Sequence, residues 1–149
     1  MHLKTSTHSF HDLTSQQLYA YLQLRSEVFV VEQNCIYQDL DNLDQGSLHV
    51  FIHDQNTLVA CARIVPANEK YPDISIGRVL VAAPYRKQEL GHVLMRYCID
   101  TIETNFGKQK IVLSAQAHLQ NFYKKHNFAP RGAIYLEDGI PHIHMERNK

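Results

Sequence analysis

Ile74-Ser75-Ile76-Gly77-Arg78-Val79-Leu80-Val81, followed by Ala82-Ala83-Pro84-Tyr85-Arg86-Lys87-Gln88-Glu89-Leu90-Gly91, is the stretch that decides the fold. Its first half reads as a strand ending in the continuous apolar run Val79-Leu80-Val81, and Gly77 inside it predicts a bulge or a close backbone approach. Pro84 ends the strand, and a basic, polar turn leads into a helix with Leu90, Leu94, Tyr97, Cys98 and Thr101 on one face and Gly107 closing the loop beyond. A helix N-terminus exposes unpaired N–H groups and the positive end of the dipole, so this turn attracts phosphate, and Arg86 and Lys87 add charge at the same place. The plainer alternative is an ordinary strand-to-helix connection with solvated basic residues. GxxxxGK[ST] is absent, and Gly91 stands without GxG spacing, so neither a Walker loop nor a dinucleotide fingerprint is present.

Working outward, Thr14 and Gln17 form a capping-box pattern ahead of a helix carrying Leu18, Leu22, Arg25 and Phe29, with Tyr21, Leu24 and Val28 widening the apolar face and the end expected before Asn34-Cys35. Leu48–His53 and Leu58–Val65 read as an antiparallel hairpin around a short polar turn. Lys110–Ser114 reads as a short buried strand. Ala117–His126 reads as a helix with Leu119, Phe122 and Tyr123 inward and Asn127 as a left-handed cap. From Ala133 to Met145 the pattern is strand, turn at Glu137-Asp138-Gly139, strand. Strand–helix–strand–helix flanked by hairpins predicts one α/β domain over residues 1–149, with a mixed sheet and at least one parallel crossover.

Composition bounds the function. The chain has 149 residues, 44% of them hydrophobic and 20% charged, enough for one proper core. Lys+Arg and Asp+Glu both number 15, so no global field pulls the chain onto nucleic acid or an anionic membrane. Three widely spaced cysteines, Cys35, Cys61 and Cys98, argue against a disulfide framework or a zinc ribbon and for a reducing compartment. No apolar run is long enough to span a bilayer and the first residues lack a signal-peptide core, so the expected location is cytoplasmic.

The segment Ser75–Val81 with Pro84–Gly91 resembles the acyl-CoA motif R/Q-x-x-G-x-G/A of the GNAT N-acetyltransferases, and Phe122-Tyr123-Lys124-Lys125 with Asn127-Phe128 resembles the next motif of that superfamily. Leu24–Gln33, Leu113–His118 and Tyr135–His142 are similar to the ElaA branch, so the resemblance covers nearly the whole chain. It implies a mostly antiparallel sheet splayed between the parallel strands at Ser75–Val81 and Lys110–Ser114, with the pantetheine of acetyl-CoA in the wedge and its pyrophosphate on the loop Arg86, Lys87, Gln88, Glu89, Leu90, Gly91 and His92. It also implies that backbone groups of Leu80 and Val81 pair with the pantetheine, that Gln116 stands where many members carry a contacting Asn, and that an N–H near Val81 polarises the thioester carbonyl. Glu89 replaces the first motif glycine, which sets a carboxylate near an anionic ligand and predicts weaker binding than glycine would give.

Tyr123 matches the superfamily's general acid, able to protonate the leaving thiolate; a tyrosine at helical spacing beside Leu119 and Phe122 is otherwise a core residue with its hydroxyl tied off. An amine acceptor arrives protonated and needs a base, for which Glu32, Glu137, Asp138 and His142 are candidates, each alternatively a surface charge. His142 and His144 share a strand face with Glu146, a pattern open to a metal pair or a polar face, and no metal is assigned. Asp39, Asp41 and Asp44 fail EF-hand spacing and read as a solvated acidic loop or a lip for a cationic substrate. Cys35 reads as a buried or incidental thiol. The expected partners are acetyl-CoA and an amine-bearing acceptor, with no nucleic acid or membrane; a homodimer is left open.

Overall fold

The computed structural model describes residues 1–149. The expected hairpin forms as β2 (Leu48–Asp54) and β3 (Thr57–Val65), and β4 (Ile74–Val81) pairs antiparallel with β3. The helix α2 (Leu90–Phe106) then returns the chain to β5 (Ile111–Gln116), which runs parallel to β4. The C-terminal hairpin is β6 (Ala129–Glu137) and β7 (Ile140–Arg147), with Asp138 at φ 52° and Gly139 at φ 78°, the two left-handed residues of a type I′ turn. The first strand, β1 (Leu3–Ser9), pairs with β2 along its whole length. Its sequence, rich in Thr, Ser and His on a sheet edge, carries no hydrophobic alternation to announce it. The seven strands are ordered β1-β2-β3-β4-β5-β7-β6.

Thr14 caps α1 (Ser15–Arg25) through the expected box with Gln17, and Ser26–Glu32 continue it as a wider π-helix. The buried residues of this segment are Tyr21, Leu24, Arg25 and Val28, while Leu18, Leu22 and Phe29 flank them half-buried. The helix expected over Ala117–His126 is a 3-10 turn at Ala117–Leu119 followed by the short α3 (Gln120–Lys124), with Asn127 left-handed at φ 68° beyond it. Leu119 lies exposed at the edge of the cleft described below rather than inward.

The sheet separates two apolar layers. On one face α2 presents Leu90, Leu94, Met95, Cys98 and Ile102 to Val50, Ile52, Ile64, Ile74 and Ile76. On the other, Tyr21, Leu24 and Val28 pack on Phe51, Cys61 and Leu80. Ile74, Ile76 and Leu80 are all even-numbered, yet Leu80 faces the opposite layer. The reason is a bulge: Cys61 pairs with Leu80 and Arg63 with Gly77, so two residues of β4 oppose Ala62 alone. One extra residue flips the side-chain alternation, sending Val79 and Val81 to the α2 face. The bulge predicted at Gly77 is therefore present, but the left-handed residue is its neighbour Arg78, at φ 50°.

Arg78 is held there by charge. Its Nε lies 2.7 Å from Asp39 Oδ1 and its Nη2 3.2 Å from Asp41 Oδ2. Arg25 bonds Asp39 and Asp44 at 2.9 and 2.7 Å, and Arg63 reaches Asp41 and Asp44 at 2.8 and 3.1 Å. The three aspartates are thus no solvated lip: Asp39 and Asp44 are buried, and the loop ties α1, β3 and β4 together. Burial alone would raise the carboxyl pKa of Asp41 and Asp44, but bonds from Arg63 and Arg25, respectively, outweigh it and hold both below the ordinary carboxylate value.

Removing one partner strands a buried guanidinium. Asp44→Ala is expected to cost about 3–5 kcal/mol in denaturant unfolding. Because both folded-state pKa values are depressed, their stabilisation is present above the unfolded carboxylate value and lost as pH falls through the folded one. Stability should therefore drop below about pH 4, and Asp41→Asn should flatten that slope in unfolding curves taken at several pH values.

Candidate active site

β4 and β5 pair only through Ile74–Ile111 and Ser75–Val112, then part. β5 continues with β7 as its sole full-length partner, so the later half of β4 presents an unpaired edge to a wedge. The Ala82 N–H donates to Val59 O across β3 at 2.8 Å. Strand alternation then turns the peptide groups of Val81 away from β3 and into the wedge, where Arg86 Nε donates to the Val81 carbonyl at 2.9 Å. Leu80, expected to share this role, faces β3 with Cys61 as register partner and buries its side chain in the α1 layer. Val79 is the residue on the wedge side, and alternation counted back from Val81 is the signal that identifies it.

At the outer end of the wedge the loop before α2 encloses a cavity of about 230 Å³. It brings together the expected Val81, Arg86, Lys87, Glu89, Leu90, Gly91 and His92 and adds Phe122, while Gln88 is exposed beside it. Lys87 and Glu89 are both left-handed, at φ 66° and 63°, immediately ahead of the α2 N-terminus, whose first N–H groups have no intrahelical partner. Left-handed backbone is what this position demands. The Glu89 carboxylate lies on the rim of this cavity, 82% exposed and 3.7 Å from His92 Nε2. Gly91 is a close approach: an added Cβ would stand 3.1 Å from Phe122 Cε1. His92 Nδ1 meets His126 Nε2 at 2.8 Å. These residues fit a diphosphate: backbone donors, a helix N-terminus and the unpaired ammonium of Lys87 converge on one cavity.

Arg86 is not free. Its two terminal nitrogens bond both Glu32 oxygens at 2.5 and 3.0 Å, and that bidentate pair lowers the Glu32 pKa. Glu32 is therefore a clamp on the loop, outside the inner cleft, and a poor proton acceptor.

At the inner end lies a cleft of about 130 Å³. It gathers Tyr123, Gln116 and three of the four base candidates, Glu137, Asp138 and His142, leaves out Glu32, and adds Ser114, Lys70 and Tyr71. The last two come from the β3–β4 loop, which carries no motif. Tyr123 is 7% exposed, and burial with the nearby Cys98 pushes its phenol well above the ordinary value. Its hydroxyl has no protein partner, unlike the tied-off hydroxyl of a core tyrosine such as Tyr21, which bonds His49 at 2.8 Å. The Cys35 Sγ donates to Asp138 O at 3.4 Å, a buried thiol beside the hairpin turn. His144 sits 3.3 Å from Glu146 and His142 3.4 Å from Glu137, so each imidazole has its own carboxylate and no group of three metal-ligating side chains converges.

A family model described as acetyltransferase (GNAT) domain matches residues 10–149. Protein ElaA of Escherichia coli K12 is 44% identical over 138 residues, covering 91% of this chain and 90% of its own. Its crystal structure superimposes with a TM-score of 0.92 at 40% identity, covering 98% of this chain and 99% of that one. The crystal structure of an acyl-CoA N-acyltransferase from Pseudomonas aeruginosa gives 0.92 at 41% identity, covering 97% and 99%. An aminoglycoside 6'-N-acetyltransferase complexed with coenzyme A shares the fold, with a TM-score of 0.72 at 16% identity and 96% of each chain covered. The splayed sheet, the anion-ready loop and these matches agree: the chain belongs to the GNAT acyltransferase family, in its ElaA-like branch.

Proposed function

We propose that the chain transfers an acetyl group from acetyl-CoA to a primary amine by direct attack with both substrates bound. The observation that carries this reading is the unpaired edge of β4, which has the α2 loop cavity at its Val81 end and, beside Gly77–Val79, the cleft where the Tyr123 hydroxyl stands without a partner. The loop backbone, Lys87 and the α2 N-terminus hold the diphosphate; Val79 and Val81 hold the pantetheine as a strand would; Gln116 faces the same arm. The Val81 N–H meets the charge developing on the thioester oxygen. Holding both reactants in line supplies much of the rate, since effective molarities of well-oriented groups reach ~10⁵–10⁸ M. Tyr123 gives its proton to the departing sulfur. A phenol this reluctant to ionise does so only as it recovers a proton from the nitrogen that is becoming an amide.

The direct test is thiol release from acetyl-CoA across a panel of amines, with calorimetry of acetyl-CoA binding beside it; no binding at millimolar ligand would remove the reading. Tyr123→Phe should lower kcat by about 10²–10⁴ while leaving acetyl-CoA affinity unchanged, because an acid acts in the chemical step. Gly91→Ala sets two effects against each other in the free protein. A gain of about 1 kcal/mol in helix propensity opposes about 1–3 kcal/mol for crowding Phe122. The melting temperature should therefore move little, whereas Phe122, displaced into the loop cavity, should raise the acetyl-CoA Kd severalfold in the same calorimetric experiment.

A further inference from the structure

We infer that His142 is the base that takes the proton from the acceptor's ammonium, with Glu137 as the carboxylate that stabilises the imidazolium; the inference rests on the acetyl-transfer reading above. The assignment follows from tautomer geometry. His142 Nδ1 lies 2.7 Å from the Ile140 carbonyl, which accepts only, so Nδ1 carries the proton. In the neutral ring Nε2 then holds the free electron pair. That atom faces Glu137 Oε2 at 3.4 Å, and the ring stacks on Tyr135 at 6.2 Å between centroids. Glu137 is itself aimed: its other oxygen accepts from Ser114 Oγ at 3.4 Å, and Ser114 in turn bonds the Tyr135 hydroxyl. His142 is 7% exposed and lines the same cleft as Tyr123.

The other candidates fall away on position. Glu32 is locked to Arg86 at the loop. Asp138 sits exposed in the turn, with no hydrogen bond orienting its carboxylate. Besides Glu137, the titratable groups around the cleft are Asp138 and Tyr135 of the hairpin, Cys35 and Tyr37, Arg63 and Arg78 of β3 and β4, Lys70 and Tyr71 of the β3–β4 loop, and Tyr123.

The proton balance is complete. An N–H bond of the ammonium breaks and its proton passes to the Nε2 electron pair, giving an imidazolium that donates to Glu137 and Ile140. The freed nitrogen pair forms the C–N bond to the acyl carbon as the C–S bond breaks, and the sulfur takes its proton from Tyr123. The second nitrogen proton restores the tyrosine, and the imidazolium releases the first to solvent.

The test compares two acceptors at saturating acetyl-CoA: an alkyl amine, protonated at neutral pH, and an arylamine, already neutral there. His142→Asn keeps a donor near the Nδ1 position for Ile140 while deleting Nε2. It should lower kcat/KM for the alkyl amine by about 10²-fold or more, abolish the acidic limb of its pH profile, and leave the neutral amine within severalfold of wild type. Glu137→Gln should lower kcat/KM for the alkyl amine severalfold and spare the neutral amine, since the imidazolium formed in proton transfer loses its counter-charge. An unchanged alkyl-amine profile in His142→Asn, or an equal loss for both acceptors at full acetyl-CoA affinity, would overturn the assignment alone. A wild-type protein that turns over neither acceptor would overturn the acetyl-transfer reading and the base with it.

Discussion

β4 is hydrogen-bonded to β3 on one edge and released on the other after its second residue, and the site depends on that asymmetry. A strand paired on both edges has no backbone groups to offer a ligand. Here the right-handed twist and the bulge at Arg78 and Val79 carry β4 away from β5, so the peptide groups of Val81 point into space rather than into a neighbouring strand. The same extra residue switches Leu80 into the α1 layer and Val79 and Val81 to the α2 face, which supports both sides of the bent strand with apolar contact. Fold and site are one device: the irregularity that would weaken an ordinary sheet creates the opening.

A left-handed non-glycine residue at the bulge has a cost, of order 1–3 kcal/mol, and persists only when its surroundings over-determine it. The alternating arginines and aspartates supply that. Arg78 is clamped by Asp39 and Asp41, which are shared with Arg25 of α1 and Arg63 of β3, so the bulge is tied to the helix that covers it. The net worth of such a buried network is small, because desolvating six charges offsets most of the attraction. Its role is conformational: it fixes where the loop 39–44 lies against β3 and β4, and with it the wall of the cleft formed by Tyr37 and Arg78.

Elements with a local signal were legible in the sequence. The capping box of α1, the β2–β3 hairpin, the boundaries of β4 and the Asp138-Gly139 turn all rest on short-range patterning that tertiary context left undisturbed. β1 was invisible because a half-exposed edge strand has no apolar alternation, and the burial of Asp39 and Asp44 because their partners lie 14 to 19 residues away in Arg25 and Arg63. The loop residues were named from the resemblance, but the left-handed backbone of Lys87 and Glu89 was not, since φ is set by the turn and no residue type there announces it. Likewise four carboxylates and imidazoles stood equal as bases until the Ile140 carbonyl fixed one ring's tautomer and Arg86 neutralised Glu32.

A chain with no net charge nonetheless presents two opposed poles. At the outer end of the wedge Lys87 makes no ion pair and the α2 dipole adds positive potential, with the exposed Glu89 on the same rim opposing them; Arg86 is spent on Glu32. At the inner end Glu137 and Asp138 stand at the β6–β7 turn with Lys70 as the cation facing them, the cleft's arginines being already neutralised by the aspartates of the loop. On the acetyl-transfer proposal, an anionic donor would be favoured at the loop before α2 and a cationic acceptor at the β6–β7 turn. Low-dielectric walls focus such local fields even when the whole-molecule charge is zero. The balance of 15 basic and 15 acidic residues, which leaves the molecule as a whole without a net field, therefore coexists with uneven local charge at the two ends of the open β4 edge.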